Sequence, residues 1–394
     1  MRLAYRMNRL GTETAFEVLS RARSLEKLGR NIIHLEIGEP DFDTPQHIID
    51  EAVHALNNHG THYTPSAGIP ELRAAIAHYI NRAREVDVSP ENVVVVPGGK
   101  PIIFFAIMAL VNQGEEVIYP NPGFPIYESM INFIGAHAVP IPLKMEREFA
   151  FDLDDLERLI TPKTRMVILN SPANPTGGVL SRSDLEQIAQ LAISHDLIVL
   201  SDEIYSRILY DGEFHSIASL PGMLERTIIL DGFSKTYAMT GWRLGYGILP
   251  VDVAQAVSRL ITNSVSCTGT ATQIAGVKAL SAPQDDVDVM VAEFKKRRDL
   301  IVNGLNQIPG FHCLMPKGAF YAFPNTAETG MKSKDLADYL LADASVATLA
   351  GTAFGHYGEG FLRLSYANSV ENINKALDRI DVAVRKIDHK PAHG

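Results

Sequence analysis

Cysteine is scarce: Cys267 and Cys313 are the only two in 394 residues, too few and too far apart for a disulfide framework or a cysteine-based metal site. Such usage suits a reducing compartment, so a cytoplasmic protein is expected. Long apolar runs are missing too, since the longest, Pro101 to Val111, is too short to cross a bilayer. The positively charged start, Met1-Arg2-Leu3-Ala4-Tyr5-Arg6, leads into Gly11-Thr12-Glu13-Thr14 and not into an apolar segment, so no secretion signal is expected. Basic side chains are in deficit, 36 against 46 acidic, giving a formal charge of −10 with no local basic patch to offset it. Such a chain repels phosphate backbones and anionic lipid, which argues against nucleic acid or a membrane as partner. His-Glu-x-x-His, Cys-x-x-Cys, Gly-x-Ser-x-Gly, the phosphate-binding P-loop and the Gly-x-Gly-x-x-Gly fingerprint are all absent. With them go the main supports for a zinc peptidase, an α/β-hydrolase or a dinucleotide enzyme, and no metal is expected.

What remains is an ordinary globular composition, 46% apolar and 21% charged, long enough for two or three domains. Short aliphatic runs alternate with longer amphipathic stretches: Val93–Val96, Glu116–Tyr119, Met166–Leu169, Leu197–Leu200 and Thr227–Leu230. This alternation predicts an α/β fold with a mostly parallel sheet covered by helices. Ligands of such sheets bind beyond the carboxyl ends of the strands. Those positions hold Gly98-Gly99-Lys100, Asn121-Pro122-Gly123-Phe124, Ser171 to Pro175, Ser201-Asp202-Glu203 and Asp231 to Lys235, five polar clusters expected at one edge. After about residue 283 a long helix, Asp285 to Gln307, and strand-like pieces at 318–323 and 361–366 predict a smaller α+β domain.

Asp202 would be a carboxylate in an apolar setting, costly unless paired. Lys235, in a small-residue loop at a strand end, would have a lowered pKa and could attack a carbonyl to form a Schiff base. Two plainer readings stay open: Asp202 and Lys235 form a structural ion pair, or Lys235 points to solvent. Gly98-Gly99 before a helix suits a phosphate, or serves backbone geometry alone. Asn174 between two prolines is consistent with a rigid turn. His34, His54, His62, His195 and His215 share no evident partner and read as satisfied or solvated side chains.

Longer segments carry a more specific signal. Ser171-Pro172-Ala173-Asn174-Pro175-Thr176-Gly177, Ser201-Asp202-Glu203-Ile204-Tyr205, Ser234 through Tyr246 and Arg363-Leu364-Ser365-Tyr366 closely resemble the class I/II aminotransferases, pyridoxal-phosphate enzymes of fold type I. Gly38-Glu39-Pro40-Asp41-Phe42, Tyr63 to Gly68 and Gly318-Ala319-Phe320-Tyr321 add to the match, which spans about residues 30 to 370 in the family's order. The resemblance implies transfer of an amino group between a 2-amino acid and a 2-oxo acid by a ping-pong route, in a homodimer with shared sites. It implies an N-terminal arm and part of the small domain over 1–45, a cofactor-binding domain over 46–283 and a small domain over 284–394.

It also implies roles. Lys235 would hold the cofactor as an internal aldimine and later move the substrate's α-proton, while Asp202 would keep the pyridine nitrogen protonated. Asn174 and Tyr205 would hydrogen-bond the ring's phenolic oxygen, and Phe124 would stack on its face. The phosphate would take donors from Gly98, Gly99, Lys100, Ser234 and Arg243, with Tyr63 reaching into the partner subunit's site. Gly232, where some relatives carry a hydroxyl, removes one donor. Arg363, helped by Gly38 and Asn174, would clamp the substrate's α-carboxylate. Lys100 matches a lysine that reaches a distal carboxylate in an aspartate-type bacterial branch, favouring aspartate or glutamate as donor. Pro101 and the Asn121-Pro122-Gly123-Phe124-Pro125 loop depart from that branch, and Glu13 would repel a second carboxylate if it faced inward. An aminotransferase for aromatic or neutral donors, or a C–S lyase on the same scaffold, is the alternative.

Overall fold

The protein is described by a computed structural model over residues 1–387; the last residues of the expected small domain, 388–394, lie outside the described part. Helix α1 (Thr14–Glu26) and strand β1 (Ile33–His34) come first, followed by α2 (Gln46–Asn57) and α3 (Pro70–Arg84). Strand β2 (Val93–Val96) leads into α4 (Lys100–Leu110), β3 (Glu116–Asn121), α5 (Ile126–Ile134) and β4 (His137–Pro142). Then come β5 (Thr164–Asn170), β6 (Ile198–Asp202), β7 (Thr227–Gly232) and β8 (Gly245–Ile248).

These seven strands from β2 onward form one sheet in the order β2-β8-β7-β6-β5-β3-β4. All neighbours are parallel except β8, which runs against both β7 and β2. The aliphatic runs are strands because both of their faces are covered. Val94 and Val96 pack with Ile102, Ile107 and Ile131 on one side, while Val93 and Val95 pack with Leu72, Ile76 and Ile80 on the other. A strand wetted on neither face needs no polar alternation, which is why the runs are continuous.

Two strands carry weaker sequence signals. The edge strand β4 contains Pro140 and Pro142, tolerable where no further neighbour needs their missing N–H groups. Strand β8 reads Gly-Tyr-Gly-Ile, and its first glycine is required by close packing: a Cβ on Gly245 would stand 2.6 Å from the Gly99 nitrogen. Gly232 on β7 has a similar cause, since a Cβ there would lie 3.0 Å from the Gly245 α-carbon.

The remaining strands are short. β9 (Tyr321–Ala322), β10 (Val346–Ala347), β11 (Leu349–Ala350) and β12 (Leu362–Ser365) lie after the long helix Asp285–Leu305. A three-stranded antiparallel sheet, β11-β12-β9, carries Arg363 at its centre, and β10 pairs in parallel with β1. Residues 33–34 are thereby joined to the small sheet region at 346–347, and Leu35 shares a core with Phe320, Val346 and Leu364. In the run Lys295-Lys296-Arg297-Arg298 of the long helix, Lys296 is exposed while the two arginines turn inward. Arg297 and Arg298 are buried, paired to Asp41 at 2.7 Å and Asp299 at 2.7 Å respectively.

Candidate active site

The carboxyl ends of β5, β6 and β7 bring Asn170, Asp202 and the Ser234-Lys235 turn to the rim of a cavity of about 540 Å³. The expected convergence of polar clusters is found there. Lys235, Asp202, Tyr205, Asn174, Ser234 and Arg243 line the cavity, and so do Gly38, Gly99, Lys100, Phe124, Glu13 and Arg363. Gly98 sits just behind the rim, and Tyr63 stands outside it, 89% exposed on the chain's surface.

Lys235 occupies the short helix Phe233–Thr236 that follows β7, and its Nζ donates to the Gly38 carbonyl at 2.5 Å. Enclosure by the cavity walls pulls its ammonium down to about 8, assisted by the nearby Arg363 and Lys100 charges and opposed by Glu39 and Glu13. No ion pair joins it to Asp202 among the described residues, so the structural-pair reading fails, as does the solvent one.

Asp202 is buried at the end of β6. Desolvation pushes its carboxyl up to about 6; a Tyr127 hydroxyl donating to Oδ2 at 2.6 Å and the Ile204 N–H donating to Oδ1 at 3.3 Å hold it down. At neutral pH the group is therefore mostly ionised. Tyr205 shares a 2.6 Å hydrogen bond with the Tyr321 hydroxyl, and burial keeps both as phenols.

Arg363 lies over the Tyr321 ring at 4.5 Å and the Phe354 ring at 5.0 Å. Its guanidinium donates to the Glu36 carbonyl and, at 3.3 Å, to Asn174 Oδ1, while its Nε has no partner. Among the described residues no carboxylate pairs with it. A buried cation without a counter-ion is costly, and an anion entering the cavity could offset that cost.

A second group of donors, around Gly99 and Arg243, lines the same cavity. Gly99 caps α4, Gly98 has a φ of 84°, and a Cβ at Gly98 would collide with the Arg243 guanidinium. Arg243 itself is held in the left-handed region at φ 57°, its Nη1 donating to the Thr240 carbonyl at 2.8 Å. Pro101 lacks an N–H, so the helix start offers one donor fewer than an ordinary α4 would.

At the far wall, Lys100 is paired with Glu13, the residue preceding α1, and its Nζ lies 5.6 Å from the Phe124 ring and 5.9 Å from Phe16. Glu13 thus faces inward, but as the partner of Lys100.

Three features escaped the sequence reading. Tyr127 was indistinguishable from core in an apolar helix, and only its three-residue spacing from Phe124, whose ring it meets edge-on at 5.7 Å, could have marked it. Beneath the site, Arg84 pairs with Glu203 at 2.6 Å and Asp231 at 2.9 Å, all buried. The partners of His34, a side chain expected to be satisfied or solvated, are Glu36 at 2.7 Å and Glu26 at 3.1 Å, hydrogen bonds that raise it to about 9. Glu26 is on α1 and Glu36 follows β1, so their approach depends on tertiary structure.

The family described as Aminotransferase class I and II matches residues 30–380. The chain is 42% identical over 361 residues to an aspartate aminotransferase of Pyrococcus abyssi, covering 91% of this chain and 92% of that one. It is equally, 42%, identical over 359 residues to an aromatic-amino-acid aminotransferase 2 of Thermococcus litoralis, covering 90% and 92%. A solved aspartate aminotransferase from Thermus thermophilus with maleate superposes at a TM-score of 0.94, with 37% identity and coverage of 97% and 100%.

Proposed function

The chain belongs to the class I and II aminotransferase family, and on that premise we propose how its residues divide the work and which donor the cavity favours. It is an aminotransferase of fold type I, moving an amino group between a 2-amino acid and a 2-oxo acid with pyridoxal phosphate as cofactor. The residues present fit that cofactor. The Gly98–Arg243 cradle would be filled by any Cβ, the Lys235 amine is enclosed, and Asp202 is a buried carboxylate; neither is in an ion pair among the described residues. When bound, the cofactor supplies an electron-withdrawing ring that accepts the electron pair left at the substrate's α-carbon.

Lys235 would hold it through the amine and, once released, carry the proton at the α-carbon, for which a pKa about 8 serves both directions. Asp202 would keep the ring nitrogen protonated. Asn174 and Tyr205 would hydrogen-bond the ring oxygen, with Phe124 against the ring face. Gly98, Gly99 and Lys100 backbone groups, Ser234 and Arg243 would take the phosphate, with Tyr63 contributed by the partner subunit in a homodimer. Arg363, with the Gly38 N–H and Asn174, would clamp the α-carboxylate bidentately.

Lys100 is the group we assign to a donor's distal carboxylate, with Glu13 moving aside, so aspartate and glutamate are the favoured donors. Support comes from its position in the cavity and from its partner being a residue of the N-terminal segment. We divide the chain at 45 and 283, a division favoured by the pairing of β1 with β10, and we assign it to the cytoplasm. No helix among the described residues is long and apolar enough to cross a membrane.

The observation that carries this reading is one cavity lined by the enclosed amine of Lys235, the buried carboxylate of Asp202 and the buried guanidinium of Arg363, which has no counter-ion among the described residues. Lys235→Ala should abolish both transamination and the visible absorbance of the bound cofactor. Only the deprotonated amine attacks a carbonyl, so capture of cofactor by the apo-protein should quicken as pH rises through about 8. A variant that keeps colour and activity refutes the assignment.

A further inference from the structure

Asp202 is a buried carboxylate with few groups to hold it ionised. Its carboxylate is buried at the end of β6 with no ion pair among the described residues. Lys235 is its nearest assistance in charge and acts more weakly than either hydrogen bond, while the neighbouring Glu203 works against ionisation. Glu203 is occupied by Arg84 at 2.6 Å and by the Ser201 hydroxyl at 2.9 Å, so no donor of that buried network reaches Asp202. The Tyr205 hydroxyl is likewise engaged with Tyr321. What remains is one side chain: Tyr127, in the first turn of α5, with its hydroxyl 2.6 Å from Oδ2. The backbone N–H of Ile204, at 3.3 Å from Oδ1, is the longer and weaker contact.

We propose that Tyr127 is the positioning residue that keeps Asp202 charged and aimed into the cavity, a role that rests on the reading of Asp202 as partner of the cofactor's ring nitrogen. Three features make the phenol suited to it. Tyr127 is fully buried, so water does not compete for the carboxylate. Burial and the adjoining Asp202 charge push its own ionisation well above 10, so it remains a donor throughout the working range. Its ring is wedged edge-on against Phe124 at 5.7 Å, which couples the wall of the cofactor pocket to the residue behind it. A donor held this rigidly loses little entropy on making the bond. The free oxygen lone pairs of Asp202 are thereby left to face the cavity, where a protonated ring nitrogen would complete the pair.

The consequence is testable on the whole enzyme. Tyr127→Phe keeps the ring and removes the donor, and a lost hydrogen bond to a charged group corresponds to about ten- to a hundredfold. The cofactor's dissociation constant, followed by absorbance after dialysis between pH 5 and 9, should rise by that order. Its acid limb, set in the unaltered protein by Asp202 at about 6, should move to higher pH, because removing a stabiliser of the ionised form makes protonation easier. Incorporating 3-fluorotyrosine at position 127, a stronger donor of nearly the same size, should move the limb the other way, a shift that loss of packing does not produce. Asp202→Asn is measured in parallel. If it loses cofactor affinity while Tyr127→Phe and the fluorinated protein keep the limb of the unaltered enzyme, the role of Tyr127 is overturned. If Asp202→Asn itself binds and transaminates normally, the ring-nitrogen reading fails instead.

Discussion

Lys100 already has a counter-ion in Glu13, so a donor with a second carboxylate must take the ammonium from that partner, whereas an apolar side chain can lie against Phe16 and Phe124 and leave the pair intact. The pair is partly exposed, so its net worth is modest, about 1 kcal/mol or less. Glu13→Gln should therefore raise kcat/KM for aspartate by up to about fivefold and leave phenylalanine nearly unchanged. Lys100→Ala should lower kcat/KM for aspartate by about tenfold or more and for phenylalanine much less. Steady-state kinetics on the two donors check both, and equal losses in Lys100→Ala would remove Lys100 from the choice of substrate. At this scale the sequence was most informative where a polar residue interrupts an aliphatic run. Asp202 and Lys235 could be found because one ends a strand and the other lies three residues beyond one, and strand ends define the site. Tyr127 could not, since a tyrosine among Phe, Ile and Met carries no mark until its hydroxyl is seen to meet a carboxylate from another element.

Between elements, the Arg84–Glu203–Asp231 cluster ties the end of α3 to the ends of β6 and β7, the two strands that present Asp202 and Lys235. Arg84 also donates to the Ser206 hydroxyl at 2.6 Å, so one guanidinium satisfies three buried groups. Arg84→Met would leave two carboxylates buried without their cation, a change that typically costs about 3–5 kcal/mol. Burial already pushes Asp231 up to about 7 against Arg84's pull, well above its value in an unfolded chain. Between those two values the folded protein binds the extra proton, so protonation favours the fold as pH falls through about 7. The Arg84→Met deficit should therefore shrink when urea denaturation is run at about pH 6 instead of about pH 8. A deficit independent of pH would mean that packing, not charge, is lost. Elements buried on both faces were legible in the sequence as continuous aliphatic runs. Strands β4 and β8 were not, because an edge position tolerates Pro140 and Pro142, and the close approach to Gly99 replaces a side chain with Gly245. Those glycines are explained only by what lies across from them, which no pattern within β8 records.

For the whole molecule, the unexplained residue is Tyr63. Its ring is 89% exposed, yet the loop that bears it is anchored on both sides: the His62 carbonyl accepts from the Thr270 hydroxyl at 2.5 Å, and Gln273 donates to the Thr64 hydroxyl at 3.0 Å. A large exposed aromatic on an anchored loop, outside its own cavity, is suited to serving another, as the proposed homodimer requires. That arrangement makes an arithmetic prediction. Lys235→Ala subunits lack the amine but keep Tyr63, and Tyr63→Ala subunits keep the amine but should bind cofactor weakly. In a mixed dimer, one of the two sites then has both residues intact and the other has neither. Random pairing of equal amounts makes half the dimers mixed, so about a quarter of all sites should regain full cofactor affinity. Activity of the co-refolded mixture at low cofactor should thus exceed the average of the separately refolded variants, and light scattering should give twice the chain mass. A mixture no better than that average, from protein that is dimeric by scattering, would mean that Tyr63 does not reach across to the neighbouring site.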